Sequence, residues 1–195
     1  MWNSIVYHII RNAHNEEKIM LHWLPFTIYF LVNCYLLNKG GQRFRSWGQR
    51  ITITAAFIYL TAILLLCLTP TFLKVSSVHK TLFYFRGVPY NLLPFQGISP
   101  EFFLNIIMTL PWGVFLYLFN SRLRWGRLVK YCFLFSLFIE ANQFIWDLLI
   151  HLGRLADVDD LITNTFGALV GFTIMKLFDN TFFHALIQKL RLNRP

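Results

Sequence analysis

The chain has 195 residues, of which 56% are hydrophobic and 14% charged, with a formal net charge of +9; its mean hydropathy is +0.50. A soluble domain carries about 25% charged residues, so this composition excludes an ordinary soluble domain, and the apolar residues fall in long blocks as membrane spans do. The basic residues cluster in short loops between those blocks, where they set topology and meet anionic lipid headgroups; no nucleic-acid-binding motif is present, and no nucleic-acid partner is expected.

The length suits one domain, residues 1–195. Cys34, Cys67 and Cys132 each lie inside an apolar block, odd in number and widely spaced, and none pairs with a His at metal-ligand spacing. They read as small buried hydrophobes, so neither a disulfide nor a zinc site is expected. No basic region precedes a long apolar core at the N-terminus, so a signal peptide is not expected.

The expected fold is all-α, a polytopic membrane helix bundle of about five transmembrane helices. Residues 1–21 either lie on the surface as an interfacial helix, with Trp2, Ile5, Ile9 and Met20 dipping into lipid, or form a frayed terminus. The first span is predicted at His22–Leu37 and the second at Ile51–Leu73. Residues 74–101 form the longest loop. It is too apolar for a solvated connector and is expected to lie on, or re-enter, the outer face and to cover something. The third span is predicted at Phe102–Phe119, kinked at Pro111, the fourth at Leu128–Ile150 and the fifth at Asp160–Phe178. On this layout twelve Lys and Arg residues fall on the side of the C-terminus and six on the other. The richer side is expected to be cytoplasmic, with the N-terminus outside and the C-terminus inside.

The last two spans carry polar residues that lipid contact does not explain. Glu140, Gln143 and Asp147 are spaced i, i+3, i+7 and share one helical face. Glu140 lies ten residues before Ile150, roughly 15 Å from that end of a helix, where a charge costs roughly 2.5–3.5 kcal/mol on insertion scales. After a short turn carrying Arg154, the residues Asp157, Asp160 and Asn164 repeat the spacing. The two helices are antiparallel neighbours, so their polar stripes could meet, with Arg154 at the mouth. Structural readings stand beside the functional one. Asp157 can be an N-cap, Asp159 reads as solvated, Arg154 can be an exposed ion-pair partner of Asp157, and Asp147 can snorkel or bond His151. Gly167 and Gly171 form a small-xxx-small pair that suits helix packing. A mid-span Glu is more often functional.

Four stretches resemble the VanZ-like family, named for a teicoplanin-resistance accessory protein. Asn91-Leu92-Leu93-Pro94-Phe95 resembles its N-L-hydrophobic-P-F loop. Asn105-Ile106-Ile107 followed by Pro111-Trp112-Gly113 resembles an N-hydrophobic start of a span ending in P-x-G. Glu140-Ala141-Asn142-Gln143 resembles its E-x-x-Q, and Arg154 with Asp157 through Gly167 resembles its R-x-x-D-V-x-D-hydrophobic-x-x-N-x-x-G. The resemblance implies a multi-pass plasma-membrane protein of a bacterium, Gram-positive in type, linked to low-level resistance to teicoplanin-type lipoglycopeptides. It supplies no reaction.

Two readings of mechanism follow. In the first, an outward-facing cleft built from Asn91, Asn105, Glu140, Gln143, Arg154, Asp157, Asp160 and Asn164 binds a polar headgroup, that of a lipid-linked cell-wall precursor or of the drug, with Arg154 on a phosphate or carboxylate and the Asn91–Phe95 loop as a lid. In the second, an intramembrane enzyme acts on a lipid-linked substrate with Glu140 as candidate catalytic acid or base. No cofactor is required, although Asp157 and Asp160 could hold a hard divalent cation such as Mg²⁺. A proton-coupled transporter and a purely structural role for the polar cluster are the remaining alternatives.

Overall fold

A computed structural model describes the backbone of residues 2–41, 46–69 and 80–192, with side chains from Met20 onward. The lipid contacts expected of Trp2, Ile5 and Ile9, and the first part of the 74–101 loop, lie outside the described residues.

Among the described residues six helices follow in order: α1 (Trp2–Gly41), α2 (Trp47–Leu68), α3 (Pro100–Phe119), α4 (Trp125–Ile150), α5 (Val158–Phe178) and the short α6 (His184–Leu190). Five are long and apolar enough to cross a membrane, at Met20–Gly40, Trp47–Leu68, Pro100–Phe119, Trp125–Ile150 and Val158–Phe178. The chain is a multi-pass membrane protein. The segment before the first span is not a separate element. It runs into that span as one helix, and at 1.5 Å per residue the 40 residues of α1 measure about 60 Å, twice a bilayer's hydrocarbon thickness. The second span's helix ends at Leu68, short of the expected Leu73. Helix α3 runs through Pro111 without a break.

The tightest packing is between α3 and α5, and small residues make it possible. A Cβ on Gly113 would lie 1.8 Å from the Ala168 carbonyl oxygen, and one on Gly171 would lie 1.9 Å from that of Leu110. Both obstacles are backbone, so neither can turn aside. This is the close approach that drives helix association in lipid, where apolar side chains gain nothing by leaving the solvent. Polar bonds tie on α1, which packs loosely: Tyr29 Oη donates to Asn142 Oδ1 on α4, and Asn33 Nδ2 donates to Thr61 Oγ1 on α2 at 3.1 Å.

The two ends of the bundle differ. At one end, α6 is held against α2 and α3. Thr52 Oγ1 donates to the Leu190 carbonyl at 2.8 Å, and Leu192 N donates to the Leu118 carbonyl at 3.0 Å. Beneath α6, Arg191 pairs with Asp179 and donates to Tyr117 Oη at 2.8 Å, and Tyr117 Oη donates to Asp179 Oδ2 at 2.6 Å.

The other end carries a small sheet that the all-α expectation missed. Strands β1 (Phe83–Phe85) and β2 (Val88–Asn91) form an antiparallel hairpin, and β3 (Ala156–Asp157) adds to β2 in parallel. The register pairs Phe85 with Val88 and Asn91 with Asp157. Arg86 and Gly87 both have positive φ, 51° and 84°, the two-residue turn whose twist matches a hairpin. Phe83-Tyr84-Phe85 lacks the apolar–polar alternation that announces a half-buried strand, so its pattern carries little sign of one.

Candidate functional site

The polar stripes of α4 and α5 meet at the hairpin end. Asp157 is the N-cap of α5, its side chain accepting from Asp159 N. The Asp157 N–H is turned away from its own helix and donates to Glu140 Oε2 at 3.2 Å, while Asn164 Nδ2, two turns further along α5, approaches Glu140 Oε1 at 3.5 Å. Glu140, Asp157 and Asn164 are all buried. Among the described residues, the donors to Glu140 are uncharged.

The same contacts set the depth of Glu140. Because it bonds the residue at which α5 begins, it is level with the start of that span. The connection 151–157 runs back along the last turns of α4 before α5 starts. Gln143 sits at the level where α2 ends, its Nε2 donating to the Cys67 carbonyl at 3.3 Å.

Asp147 neither snorkels nor bonds the His151 side chain. It is buried, and its Oδ1 accepts from Gly153 N and Arg154 N, so it holds the reversing connection in shape. Arg154, expected at the mouth of the cleft, turns the other way. Its Nε and Nη2 donate to the Thr69 carbonyl at 3.2 and 2.7 Å, and Nη2 also donates to that of Leu66. The last carbonyls of a helix lack partners within it and carry partial negative charge, which a guanidinium answers. Burial holds the Arg154 pKa below its ordinary value, with the Glu140 charge working against that fall.

Lys80 is the residue that sequence reasoning missed. Its ammonium pairs with Asp157 Oδ2 and lies 3.5 Å from Asp159 Oδ2, in surroundings that leave its side chain 11% exposed. Burial opposes its charge, but the hydrogen bond to Asp157 and the charges of the three neighbouring aspartates hold its pKa above the usual lysine value. Asn91 adds a second link: its Nδ2 donates to Asp157 Oδ1 at 2.9 Å and to the Leu93 carbonyl at 3.1 Å, and its Oδ1 accepts from Leu93 N. Asp159, expected to be solvated, is 2% exposed. Phe95 N donates to its Oδ1 at 2.8 Å, which fixes the backbone of the 91–98 loop where Phe95 takes a positive φ. The 80–98 segment is thus clasped to the start of α5.

The remaining two residues are less engaged. Asp160 is half-buried on α5 and makes no hydrogen bond through its side chain to the described residues, although its charge bears on Glu140. Asn105 stands on α3, where its carbonyl accepts from Thr109 Oγ1 at 2.8 Å; its side chain is bonded to none of the cluster. Among the described residues no group of three or more His, Cys, Asp or Glu side chains could hold a metal ion. The Asp157 carboxylate is already engaged by Lys80, Asn91 and the Asp159 N–H.

Between the hairpin, α4 and the start of α5 lies a cleft of about 290 Å³. Its accessible lining is almost wholly apolar, from Tyr90, Leu92, Ala141, Phe144, Val158 and Leu161, and the buried Asn91, Glu140 and Asp157 border it. Phe144 is fixed by edge-to-face contact with Tyr90 and by the ring of Phe85. The buried Gln143 Oε1 and Asn164 Oδ1 have no hydrogen-bond partner among the described residues. Among the described residues of this end, the carboxylates Glu140, Asp147, Asp157, Asp159 and Asp160 outnumber the cations Lys80 and Arg154, both of which are bound up in protein contacts. Chemically, the cleft presents an aromatic and aliphatic lining with polar residues at its border, which fits the apolar part of an amphiphile.

The VanZ/LLP1 family profile matches residues 53–179, a stretch that runs from α2 to the end of α5 and includes every residue of the clasp and the cleft. Neither a curated protein nor a solved structure matches the chain. With about two thirds of its length matched, including the whole polar cluster, the chain belongs to the VanZ/LLP1 family.

Proposed function

We propose that this VanZ/LLP1 membrane protein resides in the plasma membrane of a Gram-positive bacterium, with the hairpin end outward and the C-terminus in the cytoplasm. Its cleft binds the polar headgroup of an envelope amphiphile, a lipid-linked cell-wall precursor or a lipoglycopeptide of the teicoplanin type, and that binding supports low-level resistance to the drug. The observation that carries the reading is the cleft itself: an aromatic and aliphatic pocket that suits the apolar part of an amphiphile, bordered by the polar residues Glu140, Asn91 and Asp157 at one end of the bundle. The twelve-to-six distribution of basic residues supports the orientation. Arg154 serves the fold in this reading, because its hydrogen bonds go to the end of α2.

The test uses the full chain in nanodiscs, with lipid-linked precursor and teicoplanin as separate probes, and drug susceptibility of cells carrying the same variants. Ala141→Trp fills the cleft from a wall position. It should abolish binding and resistance together while the protein stays inserted. Unchanged binding and unchanged susceptibility would overturn the proposal.

A second reading has its own observation. Glu140 borders the cleft, and among the described residues it accepts from an N–H and an amide rather than from a cation. That suits a general acid or base acting on a lipid-linked substrate. Glu140→Gln keeps the shape and removes the proton chemistry. Retained function under this change favours binding, and loss of function with intact ligand binding favours catalysis.

A further inference from the structure

The hairpin and the loop after it are built for lipid rather than for water. Residues 81–98 contain one charged side chain, Arg86. A hairpin at a water-facing end alternates apolar and polar side chains, yet Phe83, Tyr84 and Phe85 are all exposed, so both faces present aromatic rings. Tyr84 is 66% exposed, Leu92 61% and Ile98 67%. These positions continue the lipid-facing surface of the spans, represented by Ile107 on α3 and Ile145 on α4, both exposed. The lone cation sits at the tip with its guanidinium over the Phe85 ring, at 5.6 Å. Aromatic rings flanked by one cation are the composition of segments that settle at the boundary between headgroups and acyl chains.

The same segment forms one lip of the cleft, through Tyr90, Asn91 and Leu92. Its inner side is clasped to α5 by Lys80, Asn91 and the Phe95 N–H, so the exposed side faces outward from the bundle. We infer that residues 83–98 lie within the lipid leaflet and that the cleft fills sideways, from the leaflet, with an amphiphile whose chain stays in lipid while its headgroup passes the Leu92 lip. The loading route rests on the binding role proposed for the cleft; the seating of the hairpin in lipid does not.

The experiment places nitroxide labels at Tyr84→Cys and Leu92→Cys, in full-length protein carrying Cys34→Ser and reconstituted in phosphatidylglycerol–phosphatidylcholine vesicles. The native Cys67 and Cys132 are buried and stay unlabelled. Collision with dissolved oxygen is compared with collision with a water-soluble nickel chelate. Ile107→Cys serves as the lipid reference and Asn180→Cys as the aqueous one. Labels at 84 and 92 should match the lipid reference, favouring oxygen. Labels that match Asn180 would overturn the inference, even with ligand binding intact. If the labels report lipid while no amphiphile binds, the binding role fails and the lateral route fails with it. Where a labelled variant does not insert, Tyr84→Trp gives an independent reading: brominated lipid should quench its added fluorescence, and absence of quenching would overturn the seating.

Discussion

Removing the Lys80 ammonium should loosen the whole hairpin end. In Lys80→Met the stem is kept and the charge lost, leaving Asp157 and Asp159, 4% and 2% exposed, as buried carboxylates without their cation. Removing one partner of a buried pair costs roughly 3–5 kcal/mol. The lower figure applies here, because Asp157 keeps its bonds from Asn91 and the Asp159 N–H and Asp159 keeps that from Phe95. About 3 kcal/mol in a chain of this size lowers the melting midpoint by about 6–12 °C. The buried thiols of Cys67 and Cys132 supply the assay, since a thiol-reactive dye reaches them only on unfolding in detergent. Asp157→Asn, which retains an N-cap, completes a double-mutant cycle with a coupling of about 1–3 kcal/mol. A Lys80→Met midpoint within 1 °C of the parent, or a coupling near zero, would refute the clasp.

Gly113→Ala should cost well over the roughly 1–3 kcal/mol of ordinary overpacking, because the added Cβ meets the Ala168 carbonyl; the folded yield in detergent checks it, with Gly126→Ala, where a Cβ meets nothing, as a neutral or slightly stabilising control. Arg154→Gln should lower the melting midpoint by uncapping α2, by about 1.5–3 kcal/mol for a lost charged hydrogen bond, while the folded fraction binds the amphiphile as tightly as the parent; affinity in nanodiscs decides. The raised pKa of Lys80 means that its contribution is complete below the ordinary lysine value of 10.5 and fades only as pH rises through the higher folded-state value. Between pH 7 and 9 the difference in midpoint between the parent and Lys80→Met should therefore stay constant, and a difference that shrinks by pH 9 would contradict the assignment.

What the sequence made legible was local. Apolar blocks marked five spans, and the i, i+3, i+7 spacing put Glu140 on one face and Asp157 with Asn164 on another; the geometry brings the Glu140 carboxylate to the Asp157 N–H and the Asn164 amide. The small-xxx-small pair at Gly167 and Gly171 was read as packing, as found. What escaped joins distant segments: Lys80 meets Asp157 across 77 residues, Phe95 meets Asp159 across 64, and Arg154 reaches Thr69 across 85. No periodicity encodes such pairs. The one available hint was charge balance, since the acids around residue 157 needed more cation than Arg154 could supply. Asp159 looked solvated because a first-turn acid usually is, and only the folded-back loop buries it. The connection after α4 escaped for a related reason: it retreats along the helix instead of turning at its end.

The central claim is that an amphiphile occupies the cleft beside Glu140. Its most direct test is a photoreactive phenylalanine analogue at Phe144, in the cleft wall, with the same analogue at Phe182, exposed near α6, as a reference. After illumination in intact cells, mass spectrometry should find an envelope amphiphile with a polar headgroup linked at 144 and not at 182, and Ala141→Trp should abolish the adduct. Bulk phospholipid alone at both positions, unaffected by Ala141→Trp, would contradict the account.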